Sequence, residues 1–147
     1  MLFNDTAPTL PKPAGPPPWF EKLADDATLE AAVLKRPVHG RENIIALIKV
    51  AIGVYEGGMD FRYLRQMDDL FLESYRSTVA GQPIDNMVVV HYNAEGFADS
   101  IVINHRPLGA ALTFSRLMWE KVGDRFGDLY LTGPEADAMA DATASGK

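Results

Sequence analysis

Apolar residues recur at helical spacing over 41–56, where Ile44, Leu47, Ile48, Ala51, Ile52 and Tyr55 fall on one stripe. Gly40 suits the position before the first turn, Glu42 complements a helix N-terminus, and Gly57-Gly58 ends the pattern. A second stripe of Phe114, Met118 and Val122 predicts a helix over 109–126. Between the two helices the chain reads as strands. Residues 60–67 and 69–79 are rich in Phe, Tyr and Leu, 84–92 is rich in Val, and 97–106 follows as another strand. Ala80-Gly81-Gln82-Pro83 and Asn93-Ala94-Glu95-Gly96 read as hairpin turns, and Pro107 stops the last strand. Upstream, 27–34 predicts a strand with Leu29, Ala31 and Val33 on one face; Lys35-Arg36-Pro37 breaks it.

The turn at 93–96 sets a register. Pairing Tyr92 with Phe97 places Val90 opposite Asp99, Val88 opposite Ile101, Asn86 opposite Ile103 and Ile84 opposite His105. One face then carries Ile84, Asn86, Val88, Val90, Ile101, Ile103 and His105. The other carries Asp85, Met87, Val89, His91, Val102, Asn104 and Arg106. A slip of one residue would exchange a strand's faces.

The ends differ in character. Pro8, Pro11, Pro13, Pro16, Pro17 and Pro18 make residues 1–18 an extended arm, either loose or packed through Trp19 and Phe20 on its own domain or a second subunit. One α+β domain is expected over 19–133, beginning with a single helical turn at 19–24. Residues 134–147, rich in Ala and Asp, read as a flexible tail.

Composition narrows the chemistry. The 147 residues suffice for one domain with a core, and 47 % hydrophobic with 23 % charged residues is ordinary for a globular protein. A net charge of −6 with no basic stripe argues against nucleic acid. The absence of cysteine removes disulfides, thiol catalysis and thiolate metal sites. No apolar run is long enough for a membrane span and no signal peptide is recognisable, so a cytoplasmic protein is expected. The three histidines, His39, His91 and His105, lack metal-ligand spacing, and neither a metal nor another cofactor is expected.

Residues 22–42 carry a resemblance. The run Ala24-Asp25-Asp26-Ala27-Thr28, then Glu30, then Pro37-Val38-His39-Gly40-Arg41-Glu42, resembles the ketosteroid isomerase branch of the nuclear-transport-factor-2-like (NTF2-like) superfamily, which includes SnoaL-like proteins. The resemblance implies a cone-shaped, strongly curved antiparallel sheet wrapped around helices, with an internal pocket. It also implies what is missing. The isomerase uses an aspartate base with an oxyanion hole made by a tyrosine and a protonated aspartate. The base falls at Ala31, the second acid at Val88, and the proline arm leaves little room for the helix that carries the tyrosine. The catalytic aspartate of SnoaL-like cyclases falls at Ile103.

The expected pocket is mostly apolar, lined by Ala31, Val88, Val90, Ile101 and Ile103, with Asn86, Tyr55 and Trp19 offering polar contacts and His105 as the candidate acid or base. Tyr63 and Tyr75 are further aromatic candidates. Asp25-Asp26 read as a turn before the strand, His39 as structural, and Arg106 as ending in solvent or pairing with Asp85 across a subunit contact. Met87, Val89 and Val102 make the outer face too apolar for bare solvent, which predicts a homodimer through that face. Three functions stay open. One is binding of a small apolar, cyclic or polyketide-like molecule. The second is an isomerase, cyclase or dehydratase using His105. The third is an interaction module whose cavity is incidental.

Overall fold

A computed structural model describes residues 8–11, 13 and 16–144. A 3₁₀ turn at Phe20–Lys22 leads into β1 (Leu23–Ala31), followed by the short β2 (Val38–His39) and helix α1 (Arg41–Val54). Four long strands follow: β3 (Glu56–Met67), β4 (Leu70–Val79), β5 (Gln82–Tyr92) and β6 (Ala98–Arg106). Helices α2 (Leu108–Phe126) and α3 (Gly133–Ala144) complete the chain. The strands form one sheet in the order β2-β1-β6-β5-β4-β3. All its ladders are antiparallel except that of β1 with β6, so the sheet is mixed where a wholly antiparallel one was expected. Irregularities in the β1–β6, β3–β4 and β5–β6 ladders help to bend it.

The expected elements appear with shifted edges. β1 runs from 23 to 31 rather than 27 to 34, because its first residues pair with the start of β6. Asp25-Asp26 therefore lie within β1, at its irregular stretch, and not in a turn; Asp25 pairs with Arg41 at 2.6 Å. Helix α1 stops at Val54, since Tyr55 is already extended and Gly57 and Gly58 have positive φ. The β4–β5 turn is tighter than the predicted four residues. Only Ala80 and Gly81 remain, both with positive φ, the signature of a type I′ hairpin.

The β5–β6 register differs from the expected one by two residues. Tyr92 pairs with Ala98, one position beyond Phe97. Asp99 is then bulged out, so that His91 meets Ser100, Val90 meets Ile101 and Asn86 meets His105. Two single-residue offsets restore parity, so the inner and outer sets of side chains are unchanged. Ile84, Asn86, Val88, Val90, Ile101 and Ile103 are buried. Helices α1 and α2 supply Ile44, Leu47, Phe114 and Met118 to the same core.

The described parts of the arm and of the C-terminal segment both pack against the domain. The Leu10 amide donates to the Phe61 carbonyl at 2.8 Å, laying the described part of the arm along β3, and Trp19 is buried. Residues 134–144 of the segment expected as a flexible tail belong to α3, which packs on α2; residues 1–7 and 145–147 lie outside the described residues. Ser115 ties the closing segment down. Its hydroxyl donates to the Val33 carbonyl at 2.7 Å and accepts from the Leu131 amide at 3.0 Å.

Candidate functional site

The concave side of the sheet, together with α1, α2 and the arm, bounds a cavity of about 80 Å³. Each wall follows from its element. The α1 stripe presents Leu47, Ile48, Ala51 and Ile52; alternate residues of β1 present Leu29 and Ala31; β5 and β6 add Val88 and Ile103. Ile52 borders the cavity yet is 48 % exposed, so the cavity reaches solvent beside Ile52. Aromatic rings form a continuous wall. Phe61 contacts Tyr75 at 5.6 Å between centroids, Tyr75 contacts Tyr55 at 5.8 Å, Tyr55 contacts Phe114 at 5.1 Å, and Phe114 contacts His105 at 5.4 Å.

Few polar groups interrupt this lining. Glu73 on β4 points to the cavity, is 4 % exposed, and makes no hydrogen bond or ion pair with any described residue. Burial pushes its carboxyl up to about 7. Burial acts in the opposite sense on His105, lowering its imidazole to about 4, and its Nδ1 has no hydrogen-bond partner among the described residues. The Trp19 Nε1 is likewise buried without a partner. The Tyr55 and Tyr75 hydroxyls lie 3.3 Å apart, so either can donate to the other. Burial raises Tyr55 to about 12, against the pull of the Tyr75 hydroxyl and the Asn86 amide. It also raises Tyr75 and Tyr130. At neutral pH the tyrosines are therefore neutral donors and His105 is a neutral imidazole.

Neither a family model nor a curated protein matches the sequence. Solved structures do resemble the fold. A protein from Silicibacter pomeroyi DSS-3, described as having a cystatin-like fold, is similar with a TM-score of 0.67 at 14 % identity, over 72 % of this chain and 74 % of that one. A steroid delta-isomerase from Pseudomonas aeruginosa is similar with a TM-score of 0.66 at 11 % identity, over 74 % of this chain and 80 % of that one. An NTF2-like protein of unknown function from Burkholderia xenovorans LB400 is similar with a TM-score of 0.50 at 19 % identity, over 58 % and 66 %. The chain has the NTF2-like fold. In this NTF2-like cone, Ala31, Tyr55, Val88, Ile103, His105 and Trp19 from the sequence-predicted set meet around the cavity.

Asn86, Val90 and Ile101 do not line it. They are buried on the same face but packed away from the cavity. Asn86 is paired in register with Tyr75 and His105, and both polar atoms of its amide lack a hydrogen-bond partner among the described residues. Asp85 is an internal partner of Arg76, at 3.1 Å, rather than a group waiting for Arg106 of another subunit. His91 lies on the outer face of the cone, with Nδ1 2.6 Å from Asp99 and Nε2 3.1 Å from Asp69, and these carboxylates hold its pKa above the ordinary value.

Sequence reading overlooked Glu73. The signal was available: a carboxylate at Glu73 alternates with Phe71 and Tyr75 on what becomes the inner face of β4. Among the described residues no cluster of three acidic or histidine side chains fits a metal ion, and no helix is long and apolar enough to cross a membrane.

Proposed function

We infer that the protein binds a small, mostly apolar molecule of cyclic or polyketide-like type in its cavity, and does so without the isomerase base, whose place Ala31 occupies. One observation carries this reading. Glu73, the His105 Nδ1 and the Trp19 Nε1 all border one apolar cavity, and none has a hydrogen-bond partner among the described residues. Buried polar groups are ordinarily satisfied, and leaving one unpaired costs about 1–3 kcal/mol. A ligand with a polar end would satisfy them while its apolar body covers the aromatic wall.

Trp19 provides the readout. Titration with cyclic ketones, lactones and phenols, followed by tryptophan fluorescence and thermal midpoint, is expected to show saturable binding by part of the series. Ala31→Phe, which fills the cavity from β1, should abolish it. Binding that survives in a folded Ala31→Phe variant, or no binding across the series, would overturn the reading. A β,γ-unsaturated ketosteroid should not be isomerised, because the cavity is far smaller than a steroid nucleus and Ala31 cannot take a proton.

A second reading, an isomerase, cyclase or dehydratase type of enzyme, draws support from Glu73 rather than from His105. A proton carrier works best with a pKa near the working pH. Glu73 at about 7 meets that condition, and the neutral tyrosine pair could hold a substrate oxygen. His105, lowered to about 4, is the poorer proton carrier.

A further inference from the structure

Among the described residues two acids are almost fully buried, and they are treated differently. Asp85 is 1 % exposed and has the Arg76 guanidinium on its carboxylate, with Nε to Oδ1 at 3.1 Å and Nη2 to Oδ2 at 3.3 Å. Glu73 is 4 % exposed and has no cation beside it among the described residues, none of whose lysines or arginines lines its cavity. A buried carboxylate without a counter-charge is costly, and it is the charged form that suffers. The side chains around it are suited to a cation nonetheless. Trp19, Tyr55, Phe61, Tyr75 and Phe114 surround the same space, and the face of an aromatic ring attracts positive charge. The tyrosines and His105 are uncharged at neutral pH, so no described group in the cavity supplies a competing positive charge.

We propose that the cavity takes up a small apolar amine in its ammonium form, with the nitrogen paired to the Glu73 carboxylate and the hydrocarbon against the aromatic wall. This rests on the reading that the cavity is a ligand site and goes further by naming the charge and functional group of the ligand. Size sets the scale of the molecule. The cavity is about 80 Å³, roughly half of the ~150 Å³ that accommodates benzene in an engineered core. The nitrogen and a few carbons fit inside, and a longer chain would leave past Ile48 and Ile52.

The charge balance is explicit. Below neutral pH the free protein carries Glu73 protonated. An ammonium ion that binds and pairs with the carboxylate releases that proton to solvent, so affinity rises with pH until Glu73 is ionised in the free state. The other described titratable groups facing the cavity are Tyr55 just after α1, Tyr75 from β4, His105 from β6 and Tyr130 from the segment after α2; Tyr92 on β5 is near enough to feel the carboxylate. Burial moves the tyrosines up and His105 down to about 4, which leaves Glu73 alone to titrate between pH 5 and 8.

The test is calorimetric titration with matched pairs, propylamine against propanol and isobutylamine against isobutanol, on the unaltered protein and on Glu73→Gln. At pH 8 the amine is expected to bind at least about tenfold more tightly than its alcohol, a preference lost in Glu73→Gln. For the unaltered protein, amine affinity should rise by about tenfold per pH unit below the Glu73 midpoint, with release of one proton, whereas the alcohol should show no such rise. An alcohol that binds as tightly as its amine, an amine affinity that does not change with pH, or a preference that persists in Glu73→Gln would overturn the proposal and leave the apolar-ligand reading standing. If neither series binds, both fall.

Discussion

Burying a carboxyl group raises the free energy of its charged form, and Glu73 does this without compensation. Its midpoint of about 7 in the fold compares with 4.5 in the unfolded chain. Below pH 4.5 both states hold the proton and nothing is lost. As pH rises from 4.5 to 7 the unfolded chain ionises first, so stability falls, by about 3 kcal/mol in all. His105 acts with the opposite sign. It is neutral in the fold down to about 4 but takes a proton near 6.5 when unfolded, so its contribution is present above 6.5 and lost as pH falls towards 4. The two slopes oppose each other between 4.5 and 6.5. Glu73→Gln removes one of them. It should match the unaltered protein near pH 4 and exceed it by about 3 kcal/mol at pH 8. Urea denaturation at both pH values decides this; an advantage that does not grow between them would show that Glu73 is not held protonated by the fold. Neither residue's burial was legible in the sequence with the same ease. His105 lay on a face fixed by the 93–96 hairpin; the turn at 80–83 sets Glu73 on that same face by parity, and only its charge argued against burial.

The elements carry their own information, and the β4–β5 hairpin is the sharpest instance. Ala80 has φ 47° and Gly81 φ 76°. A type I′ turn asks for both, and a residue with a Cβ is strained there by about 1 kcal/mol unless it is Asn or Asp. Ala80→Asn should therefore stabilise the protein by up to about 1 kcal/mol, seen as a higher urea midpoint at unchanged slope. A lower midpoint would mean that the turn is held by its strands and not by its own geometry. The β5–β6 hairpin shows why faces were readable when pairs were not. Sequence offers turn residues but does not reveal a bulge, and Asp99 is bulged. The loop is one residue longer than its turn signal suggested, the bulge adds a second, and the sum is even. Asn86, Val90 and Ile101 were placed at the pocket by face alone. Which inner residues border open space depends on how far α1 and α2 approach the sheet, and a periodic pattern holds no such distance. Helix α3 escaped for a related reason: an Ala-rich stretch is helical only once it has a neighbour to pack on, here α2.

At the scale of the molecule, the cone buries its inner face and leaves its outer face to be explained. Met87, Val89 and Val102 stand there half-buried within a single chain, alongside the exposed Asn104. Three apolar side chains in adjacent strands make a surface that water covers poorly and that a second copy could cover well. Two-fold pairing would set equivalent positions of β5 and β6 near one another. His91 would then lie close to the contact, already held by Asp69 and Asp99 and so unable to present an unpaired charge to the partner. The dimer is expected on this ground, and Val89 lies at its centre. Sedimentation equilibrium of the unaltered protein at micromolar concentration should give twice the chain mass. Val89→Asp, which puts one like charge from each copy at the same place, should give the single-chain mass with an unchanged circular dichroism spectrum. A monomer for the unaltered protein would remove the dimer, and a Val89→Asp variant that remains dimeric would move the interface to another face of the cone.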